Sequence, residues 1–161
     1  VISGKTASLI AASGQLGALF AGADREAVDI MVEYGEKVGT AFQLADDVID
    51  VTGRKAKSGK TPGTDLREGI PTLPVLLLRD NAAAGDADAA AVLELVDGDL
   101  SSDAALAAAV EALRENPATA QAWAVARQWS DEAVAALEPL PDSVVKQALA
   151  GFARAVVERD V

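Results

Sequence analysis

The stretch Gly39-Thr-Ala-Phe-Gln-Leu-Ala-Asp-Asp-Val-Ile-Asp50 holds the residue types most able to do chemistry. Wound as a helix at about 100° per residue with Gly39 at zero, it places Gln43 near 40°, Asp46 near −20°, Asp47 near 80° and Asp50 near 20°. Three carboxylates and one amide then share roughly a third of the circumference. The remaining surface is Val38, Phe42, Leu44, Ala45, Val48, Ile49 and Val51, the composition of a buried helix. Clustered carboxylates repel one another and lose hydration when enclosed, so a positive charge must offset them. All-oxygen donors suit a hard cation, and Mg²⁺ is the usual one where phosphate supplies other ligands. Spacing by itself is weak evidence. With 25 acidic residues in 161, it arises by chance about half the time, and a solvated acidic face explains it equally well. The apolar surround and the segment that follows favour an enclosed stripe.

That segment, residues 53–64, gathers Arg54, Lys55, Lys57 and Lys60 in an otherwise acidic chain. Gly53, Gly59, Pro62 and Gly63 break the helix and predict a mobile loop. A solvated linker is the plain reading of a basic run. Directly after a carboxylate stripe, it reads better as a lid that brings cations to a polyanion. Carboxylates alone repel phosphate, whereas carboxylates with a metal ion and lysine bind it.

Composition sets the outer limits. At 161 residues the chain is long enough for one domain with a real core. Half the residues are apolar and only 4% aromatic, and alanine is abundant, which favours closely packed helices over a sheet. A net charge of −11 argues against nucleic acid as a partner. Without Cys there are no disulfides or thiolate metal sites, and without His there is no imidazole base. No apolar run reaches the length of a membrane span and no signal peptide is visible, so a cytoplasmic location is expected. The chain begins with Val rather than Met, which reads as a fragment or processed product.

The elements needed to hold the stripe follow from punctuation. Residues 5–21 predict a helix with Leu9, Ile10, Leu16 and Phe20 as its apolar positions and many small residues for close approach; Gly22 stops it. Asp24 caps the next helix, expected over 25–52, with Gly35 and Gly39 inside it. Each glycine costs about 1 kcal/mol relative to Ala, so packing or substrate access must require it. Asp65-Leu-Arg-Glu-Gly-Ile-Pro-Thr-Leu-Pro74 is a turn-rich re-entry with Pro74 in a first helical turn. Residues 82–91 read as an exposed connection flanking a helix that ends near Val96. Gly98 closes that helix, and Ser101 or Ser102 caps another to about Glu115. Pro117 opens a helix to about Glu138. The last helix is expected over 142–158, with Val144, Val145, Leu149, Phe152 and Val156 inward. Trp123 and Trp129 read as core or interface residues rather than cofactor contacts.

Four motifs in order, Gly4-Lys-Thr-Ala, the Gly39–Asp50 stretch, Gly59-Lys60 and Asp65–Pro74, resemble the trans-prenyltransferases, the polyprenyl (isoprenyl) diphosphate synthases. The likeness is close over residues 1–80; beyond them only an Ala-rich helical tail matches. It implies an all-α helical bundle of the isoprenoid synthase type around a deep cavity, of which residues 1–161 are the C-terminal part. Asp46, Asp47 and Asp50 resemble the second aspartate-rich motif, which holds Mg²⁺, with Asp46 the expected direct ligand. Lys5, with Thr6 beside it, resembles the lysine that touches the allylic diphosphate. Gln43 resembles the cavity glutamine near the developing allylic cation, and Lys60 the lid lysine on the diphosphate.

The implied reaction is ionisation of an allylic diphosphate, attack by the double bond of isopentenyl diphosphate, and proton loss. The family's first aspartate-rich motif and its isopentenyl diphosphate-binding Arg and Lys residues have no counterpart here, so the isolated chain is expected to be inactive without an upstream half. Ile70 stands where the family's Gly-Lys-x-Thr-Leu-Pro has Lys, which removes a phosphate contact of about 1.5–3 kcal/mol. That change and the absent first motif leave an alternative, a noncatalytic partner subunit or interaction module. An acidic helical protein with no ligand is the third reading. A homodimer, or association with a related subunit, is expected.

Overall fold

The computed structural model describes residues 5–53 and 62–159. Among them the regular structure is helical: α1 (Thr6–Phe20), α2 (Arg25–Thr52), α3 (Thr64–Arg67), α4 (Leu73–Ala83), α5 (Ala87–Val96), α6 (Asp103–Glu115), α7 (Pro117–Ala136) and α8 (Val144–Ala155). The chain divides into two compact units, Val1–Ala45 with Val125–Asp160, and Asp46–Ala124. Helices α2 and α7 each contribute to both.

In the first unit, Tyr34 and Val38 of α2 form a core with Ala133 of α7, Leu137 and Ala153 of α8. Helix α1 joins it through its small residues. A Cβ on Gly35 would stand 2.5 Å from the Ala11 Cα, and one on Gly39 would strike Ala7. The two glycines, one turn apart, therefore admit the α1 backbone against α2, and packing is the reason for both. The close approach expected of the small residues is made at Ala7 and Ala11, and Ile10 packs against the core. Ala7 and Ala11 are buried, while Leu9, Leu16 and Phe20 are exposed, Phe20 at 89%. Gly17 meets nothing within 4 Å, so the small-residue stripe is used only in part. Polar tethers complete the unit: the Tyr34 hydroxyl donates to the Leu149 carbonyl at 2.8 Å, and Ser130 donates to the Ala153 carbonyl at 2.7 Å. Lys37 pairs with Glu132 at 3.2 Å and lies 5.9 Å from the Trp129 ring centre.

The last helix corrects its expected face. It spans Val144–Ala155, and Ala153 and Val156 point inward with Leu149 half-buried. Val144 is 82% exposed, and Val145 and Phe152 are also exposed. Helical periodicity marks the apolar residues, but α8 carries more of them than its neighbours cover, and the inward face centres on Ala153.

The second unit is built on Val51, Leu66, Val75, Leu78, Leu106 and Leu113. The connection expected over 82–91 is much shorter: α4 runs to Ala83 and α5 starts at Ala87, capped by Asp86, which accepts from Asp88 and Ala89. Ser102 caps α6, accepting from Ala105 at 3.1 Å, and Ser143 caps α8. The re-entry contains a short helix, α3, which sequence reasoning missed. Gly63 precedes it at φ 78°, and a Cβ there would strike the Val110 side chain. Only glycine fits that backbone and that space.

Candidate functional site

Helix α2 begins as the sequence requires: the Asp24 carboxylate accepts from the Ala27 amide at 2.8 Å. Of its expected apolar positions, Val38, Leu44, Ala45, Val48 and Val51 are at 5% exposure or less, while Phe42 and Ile49 are half-buried. The polar stripe therefore has a fixed direction. Gln43, Asp46 and Asp50 along it are half-buried, and Asp47 is buried at 6% exposure. A wholly solvated acidic face would not show that gradient.

The expected site residues distribute as follows. Thr6 and Gln43 are brought together, the threonine hydroxyl 3.4 Å from the glutamine Oε1. Lys5 occupies the N-cap position of α1 and is exposed. Lys60, and with it most of the expected basic lid, lies outside the described residues. Ile70 is 44% exposed in the turn before α4.

Asp47 and Asp50 make contacts that spacing alone did not suggest. The Leu73 amide donates to Asp47 Oδ2 at 3.2 Å, and the Asp65 amide donates to Asp50 Oδ2 at 3.2 Å. The Asp50 carbonyl also accepts from the Gly63 amide at 2.8 Å. Burial pushes the Asp50 carboxyl above its usual range, and the Asp65 carboxylate adds to that push. The backbone amides of Asp65 and Thr64 pull it down, and Asp47 pushes it up again. Among the described residues no three Asp or Glu side chains gather into a metal cage. A cation held by one or two protein carboxylates plus phosphate oxygens suits such a stripe better than one enclosed wholly by protein.

Two contributors were missed from the sequence. Asp65 adds negative charge beside Asp50. Arg114 donates from Nη2 at 3.2 Å and Nε at 3.3 Å to the Val51 carbonyl, satisfying the C-terminal turn of α2. Asp65 stood inside a quoted motif and could have been found there. Arg114 is 63 positions from its acceptor and leaves no local signal. A surface hollow of about 490 Å³ lies at the start of α2, lined by residues including Arg25, Glu33 and Pro139, and holds none of the motif residues. Among the described residues no helix is long and apolar enough to cross a membrane.

Comparison with known proteins identifies the family. The polyprenyl synthetase family model matches residues 1–113. The nonaprenyl diphosphate synthase of Mycobacterium tuberculosis is 42% identical over 160 residues, covering 99% of this chain and 47% of that protein. Component 2 of the heptaprenyl diphosphate synthase of Geobacillus stearothermophilus is 37% identical, covering 97% of this chain and 47% of its own length. The crystal structure of a Caulobacter crescentus polyprenyl synthase complexed with calcium and isoprenyl diphosphate superposes with a TM-score of 0.85 at 35% identity, over 98% of this chain and 48% of that one. The chain thus spans about half the length of the curated relatives it matches. The motif order, the helical architecture and these matches together place the chain in the polyprenyl synthetase family, with the isoprenoid synthase fold.

Proposed function

We propose that this chain supplies the diphosphate-ionising half of a prenyltransferase that condenses an allylic diphosphate with isopentenyl diphosphate. One observation carries the reading: a half-buried stripe of Gln43, Asp46 and Asp50 on a helix whose other face is largely buried, with Thr6 against Gln43. Relatives named as polyprenyl diphosphate synthases support the chemistry, and the Caulobacter relative carries calcium and isoprenyl diphosphate. In this chain Asp46 would hold Mg²⁺, which when bound would supply positive charge against the leaving pyrophosphate. Lys5 and Lys60 contact the diphosphate, and the Gln43 amide oxygen, oriented by Thr6, faces the allylic cation. The upstream half is required for turnover, and the working form is a cytoplasmic homodimer or a complex with a related subunit. The test is Mg²⁺-dependent binding of a bisphosphonate by calorimetry. Asp46→Ala is expected to weaken it about tenfold or more; equal binding by both proteins rejects the site.

A second reading, a noncatalytic partner subunit, draws on the exposed Leu9, Leu16 and Phe20 of α1 and on Ile70 in place of lysine. Co-expression with a complete relative followed by size-exclusion chromatography decides it. Co-elution without added turnover favours the partner role, and separate elution removes it.

A further inference from the structure

Helices α3 and α4 begin differently from those that follow them. Helices α5, α6 and α8 each start at a residue whose own side chain accepts from the first turn: Asp86, Ser102 and Ser143. Helix α3 starts at Gly63, which has no side chain and has no room for one. Helix α4 starts at Thr72, whose side chain makes no capping bond, and its second residue, Pro74, has no N–H. Both helices obtain their missing acceptor from α2. Asp50 Oδ2 takes the Asp65 amide and Asp47 Oδ2 takes the Leu73 amide. The two aspartates are three residues apart, about one turn, so each meets one of the two returning segments.

We infer that Asp47 and Asp50 are positioning residues, carboxylates borrowed as caps by helices that follow, Asp50 for α3 and Asp47 for α4, beside the Asp46 already assigned to the cation. The inference rests on the prenyl-transfer reading for the role of Asp46, but the caps themselves do not. A carboxylate at a helix N-terminus is favoured by the unpaired amides and the helix dipole. Burial makes donors obligatory for Asp47, because an enclosed carboxylate without them is strongly unfavourable, and the Leu73 amide is one of them. Asp50 in addition takes the Gly63 amide on its carbonyl, so the chain returns from the basic segment onto α2 at two points of one residue. The motif then does two jobs: it presents charge, and it fixes both ends of the Asp65–Leu73 turn beside that charge.

The test is residue-specific amide exchange by NMR on the whole chain as wild type, Asp47→Ala and Asp47→Asn, without and with Mg²⁺ and inorganic pyrophosphate. Asparagine keeps an acceptor oxygen and removes the charge. In Asp47→Ala the Leu73 amide is expected to exchange about tenfold faster or more relative to Leu113. In Asp47→Asn it is expected to stay within about threefold of wild type. Should Asp47→Ala loosen the whole chain, Asp47→Asn decides alone. Adding Mg²⁺ and pyrophosphate is expected to leave the Leu73 and Asp65 amides protected. An unchanged Leu73 amide in Asp47→Ala, a selective loss in Asp47→Asn, or release of either amide by Mg²⁺ and pyrophosphate overturns the inference. Equal Mg²⁺-dependent pyrophosphate binding by wild type and Asp46→Ala would instead remove the cation from Asp46 and leave the capping result standing.

Discussion

Two stretches of α2 hold their neighbours by opposite means. Near its middle, Gly35 and Gly39 have no side chains, and the α1 backbone packs into the space at Ala7 and Ala11. Toward its end, Asp47 and Asp50 present charged oxygens that take backbone amides of the returning chain. The first contact depends on shape and dispersion and tolerates no added atom. The second depends on an acceptor and tolerates changes of charge better than loss of oxygen. One helix can thus be rigid against α1 while carrying polar groups where chemistry is expected.

Substitutions that separate these two kinds of contact are ranked by expected loss of stability, read as chemical denaturation of each variant. Gly39→Ala should cost most, about 2–3 kcal/mol, because the new methyl group meets the Ala7 backbone and outweighs alanine's better helix propensity. A neutral Gly39→Ala would break the comparison at its shape-dependent end. Asp47→Ala should cost about 2 kcal/mol, with Asp47→Asn recovering most of it. A stabilising Asp47→Ala would mean that α4 does not need the borrowed acceptor. Ser102→Ala removes a cap of the local kind and should cost about 1 kcal/mol.

An effect no larger than that at Ser102 is expected at Tyr34, a polar tether among the shape-dependent contacts. Burial pushes its phenol up to about 12, and its hydroxyl donates to the Leu149 carbonyl. The folded chain therefore keeps a proton that the unfolded chain releases near pH 10. The tether's contribution is whole below that value and is lost as the pH rises toward about 12. Tyr34→Phe should lower stability by about 1 kcal/mol at neutral pH, and should flatten this alkaline decline.

What could be read from the sequence follows the same division. Local devices were legible: Asp24 and Ser102 as caps, Gly22 as a stop, Pro74 in a first turn. So was the buried face of α2, because its period is carried by consecutive residues. The glycines pointed to a packing constraint without naming the partner. Contacts between distant segments were illegible. Nothing near Leu73 announces that its amide bonds to Asp47, 26 positions away, and nothing near Arg114 announces the end of α2. The inward face of α8 was misjudged for the same reason, and the exposure of Leu9, Leu16 and Phe20 on α1 had no local signal. Hydrophobicity says which residues gain from burial, but only the neighbours decide which of them are covered. The candidate site was proposed from residue type and motif order. The roles of the Asp47 and Asp50 carboxylates as acceptors for distant backbone amides could not have been.

The central claim is that Asp46 meets the cation while Asp47 holds the chain. Calorimetric titration of Mg²⁺-dependent pyrophosphate binding to wild type, Asp46→Asn and Asp47→Asn tests it most directly, since both substitutions remove one charge and keep volume. The account predicts a loss of about tenfold or more for Asp46→Asn and a clearly smaller loss for Asp47→Asn. Equal losses in the two variants, or none at Asp46, would contradict it.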